Sequence, residues 1–171
     1  MRLFRSAHPS PLLMILPHTT VVVLRRALLV MLVLGSAGTV LELLLLKHTD
    51  GVWQLIPLVL NGLTLLVLAW FGIARSPASL RALQATMLLC LASGGVGVVQ
   101  HFLGNIVYAS ESNPSLAGRE LYLEAIMGST PTLAPGMLVQ LALIGLAFAF
   151  RHPDLRSTDP YFELPTQRMD P

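Results

Sequence analysis

The chain has 171 residues, of which 54% are hydrophobic and only 12% are charged, and its mean hydropathy is +0.69. An ordinary soluble domain carries roughly 25% charged residues, so this composition is typical of a membrane protein and argues against a separate soluble domain. The net charge of +2 does not indicate nucleic acid, because the basic residues are scattered around hydrophobic segments. The single cysteine, Cys90, excludes an intrachain disulfide, a cysteine-based zinc cluster and a paired-thiol redox site.

Four apolar stretches predict an all-α membrane protein, an antiparallel bundle of four transmembrane helices. A spanning helix needs about 20 predominantly apolar residues, and such stretches lie at residues 24–46, 53–74, 82–103 and 133–150. The fourth is the shortest and ends at Arg151, His152 and Pro153. The connections after the first two stretches are very short, which forces these neighbours to be antiparallel.

Two further segments, residues 1–23 and 151–171, flank the predicted bundle. The first is interpreted as a basic cytoplasmic arm that orients the first span. An organelle transit peptide is the alternative, since no acidic residue precedes Glu42. The second segment is proline-rich with mixed charge and predicts a mobile cytoplasmic tail, because it cannot bury enough apolar area to fold. His8, His18 and His152 are expected to be exposed to solvent.

The distribution of lysine and arginine predicts the orientation of the bundle. Positive residues accumulate on the cytoplasmic side of membrane proteins. One side of the predicted bundle has Arg2, Arg5, Arg25, Arg26, Arg75, Arg81, Arg151, Arg156 and Arg168, whereas the other has Lys47 and Arg119. Both termini are therefore expected in the cytoplasm, and the connection of residues 104–132 outside. Short connections favour the bacterial inner membrane, with an organelle membrane as the alternative.

The external connection predicts a short amphipathic helix. Asn113 is expected to cap a helix whose first residue is Pro114, because proline lacks the N–H that a helix start leaves unpaired. The helix is expected to reach about Met127 and to stop at Gly128. Its broad apolar side predicts that it lies on the outer membrane surface or caps the bundle.

Apart from Arg25 and Arg26 at the inner end of the first span, two residues with a carboxylate or imidazole group, Glu42 and His101, fall within the predicted spans. Such groups cost a few kcal/mol in a membrane, which makes each a functional candidate. Both lie a few residues below the outer ends of their spans, on helix faces with small residues, and such faces normally point to a neighbouring helix. The residues on these faces are Gly35, Gly38 and Thr39 in the first span and Gly94, Gly97, Gly104 and Tyr108 in the third. We therefore expect Glu42 and His101 to point into the bundle and to contact each other.

The outer half of the bundle is expected to enclose a polar pocket, because the inner halves have few polar residues beyond Gln84, Thr86 and Cys90. The hypothetical ligand-binding residues are Glu42, His101, Asn61, Gln100, Asn105 and Gln140. The hypothetical metal ligands are Glu42, His101, Glu111, Glu120 and Glu124, since imidazole and carboxylate suit zinc, iron or manganese. No HExxH, paired ExxH or histidine cluster supports the metal. The alternative is a structural clasp in which Glu42 pairs with His101 or Lys47.

Three functions are compatible with these features. The first is a noncatalytic membrane component that binds a partner, either another membrane protein or a second copy, within the lipid bilayer. The second is an externally facing protein that binds a metal or small ligand around Glu42 and His101, with an enzyme as one version of it. The third is a transporter, which ranks last because no inverted repeat is detected. No catalytic motif or cofactor is assigned, and nucleic acid is not an expected partner.

Overall fold

The computed structural model describes residues 11–128 and 130–155, with side chains from Thr19 onward. These residues form five α-helices and one 3₁₀ turn, without a strand among them. The helices are α1 (Pro11–Leu45), α2 (Val52–Ala74), α3 (Pro77–Ser112), α4 (Gly118–Ile126) and α5 (Gly136–Ala149), and the turn is Pro153–Leu155. The described part of the chain is therefore all-helical, as predicted.

The second predicted stretch coincides with α2, but α1 begins earlier than expected. Helix α1 starts at Pro11, so much of the segment interpreted as an arm is helical. Residues 19–24 contain neither glycine nor proline and continue the apolar run toward the N-terminus, so the helix extends through them. Residues 1–10 of the predicted arm lie outside the described residues.

Helix α3 ends later than predicted, and α4 begins later. A capping box starts α3, in which the Ser79 N–H donates to Ser76 Oγ at 3.2 Å and the Ser76 N–H to Ser79 Oγ at 3.3 Å. The helix continues to Ser112 instead of ending near residue 103. Asn113 closes α3 instead of opening α4, because its N–H donates to the Ala109 carbonyl at 2.9 Å and its Oδ1 accepts from the Ser115 hydroxyl at 2.6 Å.

Three helices are long and apolar enough to cross a membrane, namely the segments Thr19–Leu45, Val52–Ala74 and Pro77–Ser112. Helix α5 has 14 residues and is about 21 Å long at 1.5 Å per residue. A hydrocarbon core is about 30 Å thick. The predicted fourth stretch thus forms a shorter helix than expected, since residues 133–135 form a turn before it.

Four helices contribute to one hydrophobic core. Helix α1 packs against α2 and α5, whereas α3 packs against α2, α4 and α5. This order places α1 and α3 diagonally across the core. Its largest fully buried apolar side chains are Leu32 from α1 and Leu80, Leu83 and Met87 from α3.

Glycines allow α5 to approach its neighbours closely. A Cβ at Gly94 would lie 2.7 Å from a methyl of Val139 and 3.1 Å from the Pro135 carbonyl oxygen, and one at Gly97 would lie 2.8 Å from Pro135 Cβ. The prediction that this small-residue stripe faces a neighbour is confirmed at both positions. Gly104 on the same stripe has no such contact.

The core has two ends, which we name by their residues. The Arg25 end contains Arg25 of α1, the end of α2 at Arg75, the start of α3 and the segment after α5. The α4 end contains the α1–α2 connection, the last turns of α3, α4 itself and the turn that precedes α5.

Candidate functional site

Asn105 organises the α4 end. Its side chain is 2% exposed, and Nδ2 donates to the carbonyls of Ala125 and Thr130 at 2.9 and 2.7 Å and lies 3.1 Å from Thr132 Oγ1. Its Oδ1 accepts from the Thr130 N–H at 3.3 Å. A Cβ at Gly128 would lie 2.8 Å from the Asn105 amide carbon, so the absence of a side chain there admits the amide. One amide thus ties α3 to the end of α4 and to the turn before α5.

His101 has a related role one turn earlier on α3. Its half-buried ring donates through Nδ1 to the Pro131 carbonyl at 3.1 Å, which requires the proton on that nitrogen. The irregular segment before α5 has backbone carbonyls that no helix satisfies, and such groups need hydrogen-bond partners where they are withdrawn from water. His101 and Asn105 provide these partners, so both act as structural hydrogen-bond donors.

Glu42 does not join this network. Its side chain is exposed on α1, and no hydrogen bond or ion pair connects it with His101 or Lys47 in the described part of the chain. The predicted pairing of Glu42 with His101 is therefore not formed, nor is the alternative clasp with Lys47. The reason is the order of the helices, which places α1 and α3 diagonally across the core.

The remaining predicted site residues do not converge on one pocket. Asn61 is buried within α2 and donates to the Pro57 carbonyl at 2.9 Å. Four of the others are exposed on α3, α4 or α5, namely Gln100, Gln140, Glu120 and Glu124, and Glu111 is exposed at the end of α3. Across residues 11–128 and 130–155, no three His, Cys, Asp or Glu side chains form a group that could hold a metal ion. Two surface grooves of this region are lined by apolar residues apart from Arg75, and His101 lines neither of them.

The Arg25 end has a polar cluster that the sequence reasoning missed. His152 was expected in solvent but is only 9% exposed. Its ring packs edge-on against Phe71, with centroids 5.5 Å apart, and lies 5.2 Å from the Phe148 ring. Its Nδ1 accepts from the Asp154 N–H at 3.3 Å and lies 3.6 Å from the Asp154 carboxylate.

Arg25 connects this cluster to α1. Its Nη2 donates to the carbonyls of Phe150 and Arg151 at 3.2 and 3.0 Å, which are C-terminal groups that the end of α5 leaves unpaired. The predicted tail therefore starts too early, because Leu155 also packs against the core. Residues 156–171 of that tail lie outside the described residues. The sequence signal for the contact between Arg25 and the end of α5 was the presence of this arginine in an apolar helix.

The surroundings of His152 favour its neutral form. Burial lowers the pKa of His152, the Asp154 carboxylate acts in the opposite direction, and the guanidinium groups of Arg25 and Arg75 lower the pKa further. A neutral ring whose Nδ1 accepts a hydrogen bond carries its proton on Nε2. The cluster thus fastens the chain after α5 to α1 and α2.

The chain matches no protein-family model, no curated protein and no solved structure. Its class therefore rests on its helices, three of which have the length and composition of membrane spans. Such a fold does not by itself transfer a function. Evidence for a function must come from the polar groups that the chain satisfies internally and from those that it leaves exposed.

Proposed function

We propose that this chain is a noncatalytic integral membrane protein that binds a helix of a different membrane protein through an exposed face of α1. We name this face the Glu42 face; it consists of Leu34, Gly38, Leu41, Glu42 and Leu45. These positions follow helical spacing on one side of α1. The observation that carries the proposal is the exposed carboxylate of Glu42 in an apolar helix, without a partner in the described chain.

The Glu42 face lies on the least buried of the three long apolar helices. In an apolar stretch of 18 residues, 11% of α1 is buried, against 28% of the corresponding stretches of α2 and α3. Leu34, Leu41 and Leu45 are 67%, 58% and 74% exposed. A Cβ at Gly38 would meet nothing within 4 Å, so the face is flat at its centre and allows a second helix to approach closely.

Charge favours a different protein as the partner. An isolated carboxylate within a membrane span is unfavourable by a few kcal/mol, and a hydrogen-bond donor or cation on a neighbouring helix relieves that cost. Two copies packed symmetrically through this face would bring their Glu42 carboxylates together, and like charges repel. The partner helix therefore carries a basic or hydrogen-bond-donating side chain about one turn from the end of its span.

Photocrosslinking of the full chain in its native membrane tests this proposal. A photoreactive amino acid replaces Leu41 on the Glu42 face, and the matched control replaces Val59, which is 63% exposed on α2. We expect the Leu41 probe, and not the Val59 probe, to give one defined protein adduct. Glu42→Leu should reduce the yield at least tenfold, whereas Glu120→Leu on exposed α4 should not.

Two results would overturn the proposal. Lipid adducts alone from both probes would mean that only lipid covers the Glu42 face. An adduct with twice the mass of the chain would assign the face to a second copy.

We also propose that α5 crosses the membrane as a fourth span, with the Arg25 end in the cytoplasm of a bacterial cell. The excess of arginine at that end supports this orientation. In a Cys90→Ala background, single cysteines at Thr49 and Ser76 report on the two ends. A membrane-impermeant maleimide should label the first in intact cells and the second only after lysis, and the reverse pattern would invert the orientation.

A further inference from the structure

A groove of about 270 Å³ lies on the outside of the core, between α1 and α2. Leu29 and Val33 form its α1 wall, and Leu65, Leu68 and Gly72 belong to its α2 wall. Arg75 also lines the groove and is its only charged lining residue. The groove is thus apolar along its length and cationic at one end.

The groove runs along the helix axis. Its α2 residues extend from Leu65 to Arg75, a rise of about 15 Å at 1.5 Å per residue. Gly72 lines the groove near Arg75, and a Cβ at this position would extend into open space, with no atom within 4 Å. A narrow apolar channel along a spanning helix has the shape and chemistry of a lipid acyl chain.

The backbone of Arg75 is held in place at the end of α2. It is the C-cap of α2, in the left-handed conformation with φ 42° and ψ 45°, and its N–H donates to the Phe71 carbonyl at 3.0 Å. No described residue forms an ion pair with its guanidinium group. Guanidinium is always charged and binds phosphate oxygens with two parallel hydrogen bonds.

We propose that this groove binds one anionic phospholipid, with an acyl chain between α1 and α2 and the phosphate on Arg75. Basic residues at the cytoplasmic ends of transmembrane helices recognise anionic headgroups in this way. An anionic lipid is favoured over a zwitterionic one because the Arg25 guanidinium lies at the same end of the core, where it donates to the Phe150 and Arg151 carbonyls. A headgroup ammonium would meet two cations there.

Native mass spectrometry of the full chain in detergent tests this inference. The probes are phosphatidylglycerol and phosphatidylcholine with identical acyl chains, and inorganic phosphate serves as the headgroup alone. We expect one phosphatidylglycerol per chain, bound at least tenfold more tightly than phosphatidylcholine, and no retained inorganic phosphate.

Two pairs of variants locate the lipid. Gly72→Leu fills the groove and should abolish binding of both lipids. Its control is Gly62→Leu, also on α2, where an added Cβ would meet no atom within 4 Å. This control should bind lipid as the parent does. Arg75→Gln should reduce phosphatidylglycerol affinity to that of phosphatidylcholine. Arg81→Gln removes an exposed charge from the first turns of α3 and should preserve the preference.

Equal affinity of the parent for the two lipids would overturn the proposal. Binding that survives both Gly72→Leu and Arg75→Gln would overturn it as well, because the lipid would then lie elsewhere. Retained inorganic phosphate would assign Arg75 to a soluble anion instead. The inference rests on the membrane location and not on the partner helix, so a failed crosslink at Leu41 leaves it intact.

Discussion

The amide nitrogen of Asn105 lies 3.1 Å from the hydroxyl oxygen of Thr132, and both groups donate to the same Ala125 carbonyl. This triangle joins α3, the last turn of α4 and the turn before α5. Asn105, Ala125 and Thr132 are buried, so replacement water has little access to the Ala125 carbonyl when the amide is removed. The relationship makes Asn105 the main attachment of the α4 end.

Asn105→Leu is expected to lower the free energy of unfolding by about 2–3 kcal/mol. The variant removes the hydrogen bonds of the Asn105 amide to Ala125 and Thr130, each worth about 0.5–1.5 kcal/mol net, and the Ala125 carbonyl keeps only its bond from Thr132. Thermal unfolding in mild detergent measures the effect. The control is Gln100→Leu, at an exposed position on the same helix, and an equal loss in both variants would contradict the attachment role.

Gly94→Ala and Gly95→Ala should have different effects on the stability of the fold. The new methyl at Gly94 meets backbone atoms of Pro135 and Val139, whereas at Gly95 it meets nothing within 4 Å. Overpacking costs about 1–3 kcal/mol, while alanine in a helix is favoured over glycine by about 1 kcal/mol. Unfolding midpoints should therefore fall for Gly94→Ala and stay or rise for Gly95→Ala. A parallel change would show that α3 and α5 do not pack through Gly94.

Ser36→Ala is expected to stabilise the fold by about 1 kcal/mol. The Ser36 side chain is fully buried, and its hydroxyl has no hydrogen-bond partner among the described residues. An unsatisfied buried polar group carries its full desolvation cost, which alanine removes. Thr64→Ala is the comparison, because its hydroxyl donates to the Leu60 carbonyl at 2.8 Å. A loss of stability in Ser36→Ala would mean that Ser36 binds a buried partner.

Stability should decrease on acidification because of His152. Its lowered pKa means that the unfolded chain binds more protons than the folded chain between the folded pKa and the usual value of about 6.5. The free energy of unfolding therefore falls as the pH drops through 6.5 and levels off below the folded pKa. His152→Phe preserves an aromatic ring beside Phe71 and Phe148 and should reduce the difference in unfolding midpoint between pH 8 and pH 5.

His48→Phe, in the α1–α2 connection, is the matched control for the pH experiment and should retain the dependence of the parent. A parent midpoint that is constant across the range would contradict a neutral His152 in the folded state.

The sequence was sufficient to predict α2 because an apolar run there lies between the Asp50-Gly51 turn and the sharp stop at Arg75. It did not predict the end of α3, because hydropathy falls after about residue 103 while the helix continues to Ser112. Hydropathy reports where lipid ends, whereas helix propensity and capping decide where the helix ends. The two boundaries differ in α3 because its last turns are less apolar than the rest of the helix.

The contact predicted between Glu42 and His101 depended on which helices are neighbours. Helical periodicity correctly predicted that Gly94 and Gly97 face another helix, but it contains no information on which helix that is. The contact does not form because α1 lies diagonally across the core from α3. His152 was assigned to solvent because Phe71, against which its ring packs, is distant in the sequence.

The shortness of α5 has a consequence for the surrounding bilayer. A helix of about 21 Å beside α1 and α3 presents a narrower hydrophobic belt than the lipid core of about 30 Å. If α5 crosses the membrane as proposed, lipid next to it would compress to cover that belt, at a cost of fractions of a kcal/mol per Å of mismatch. Such asymmetric thinning would favour thin membranes, and it would offer any neighbour that matches the reduced thickness a preferred place to accumulate.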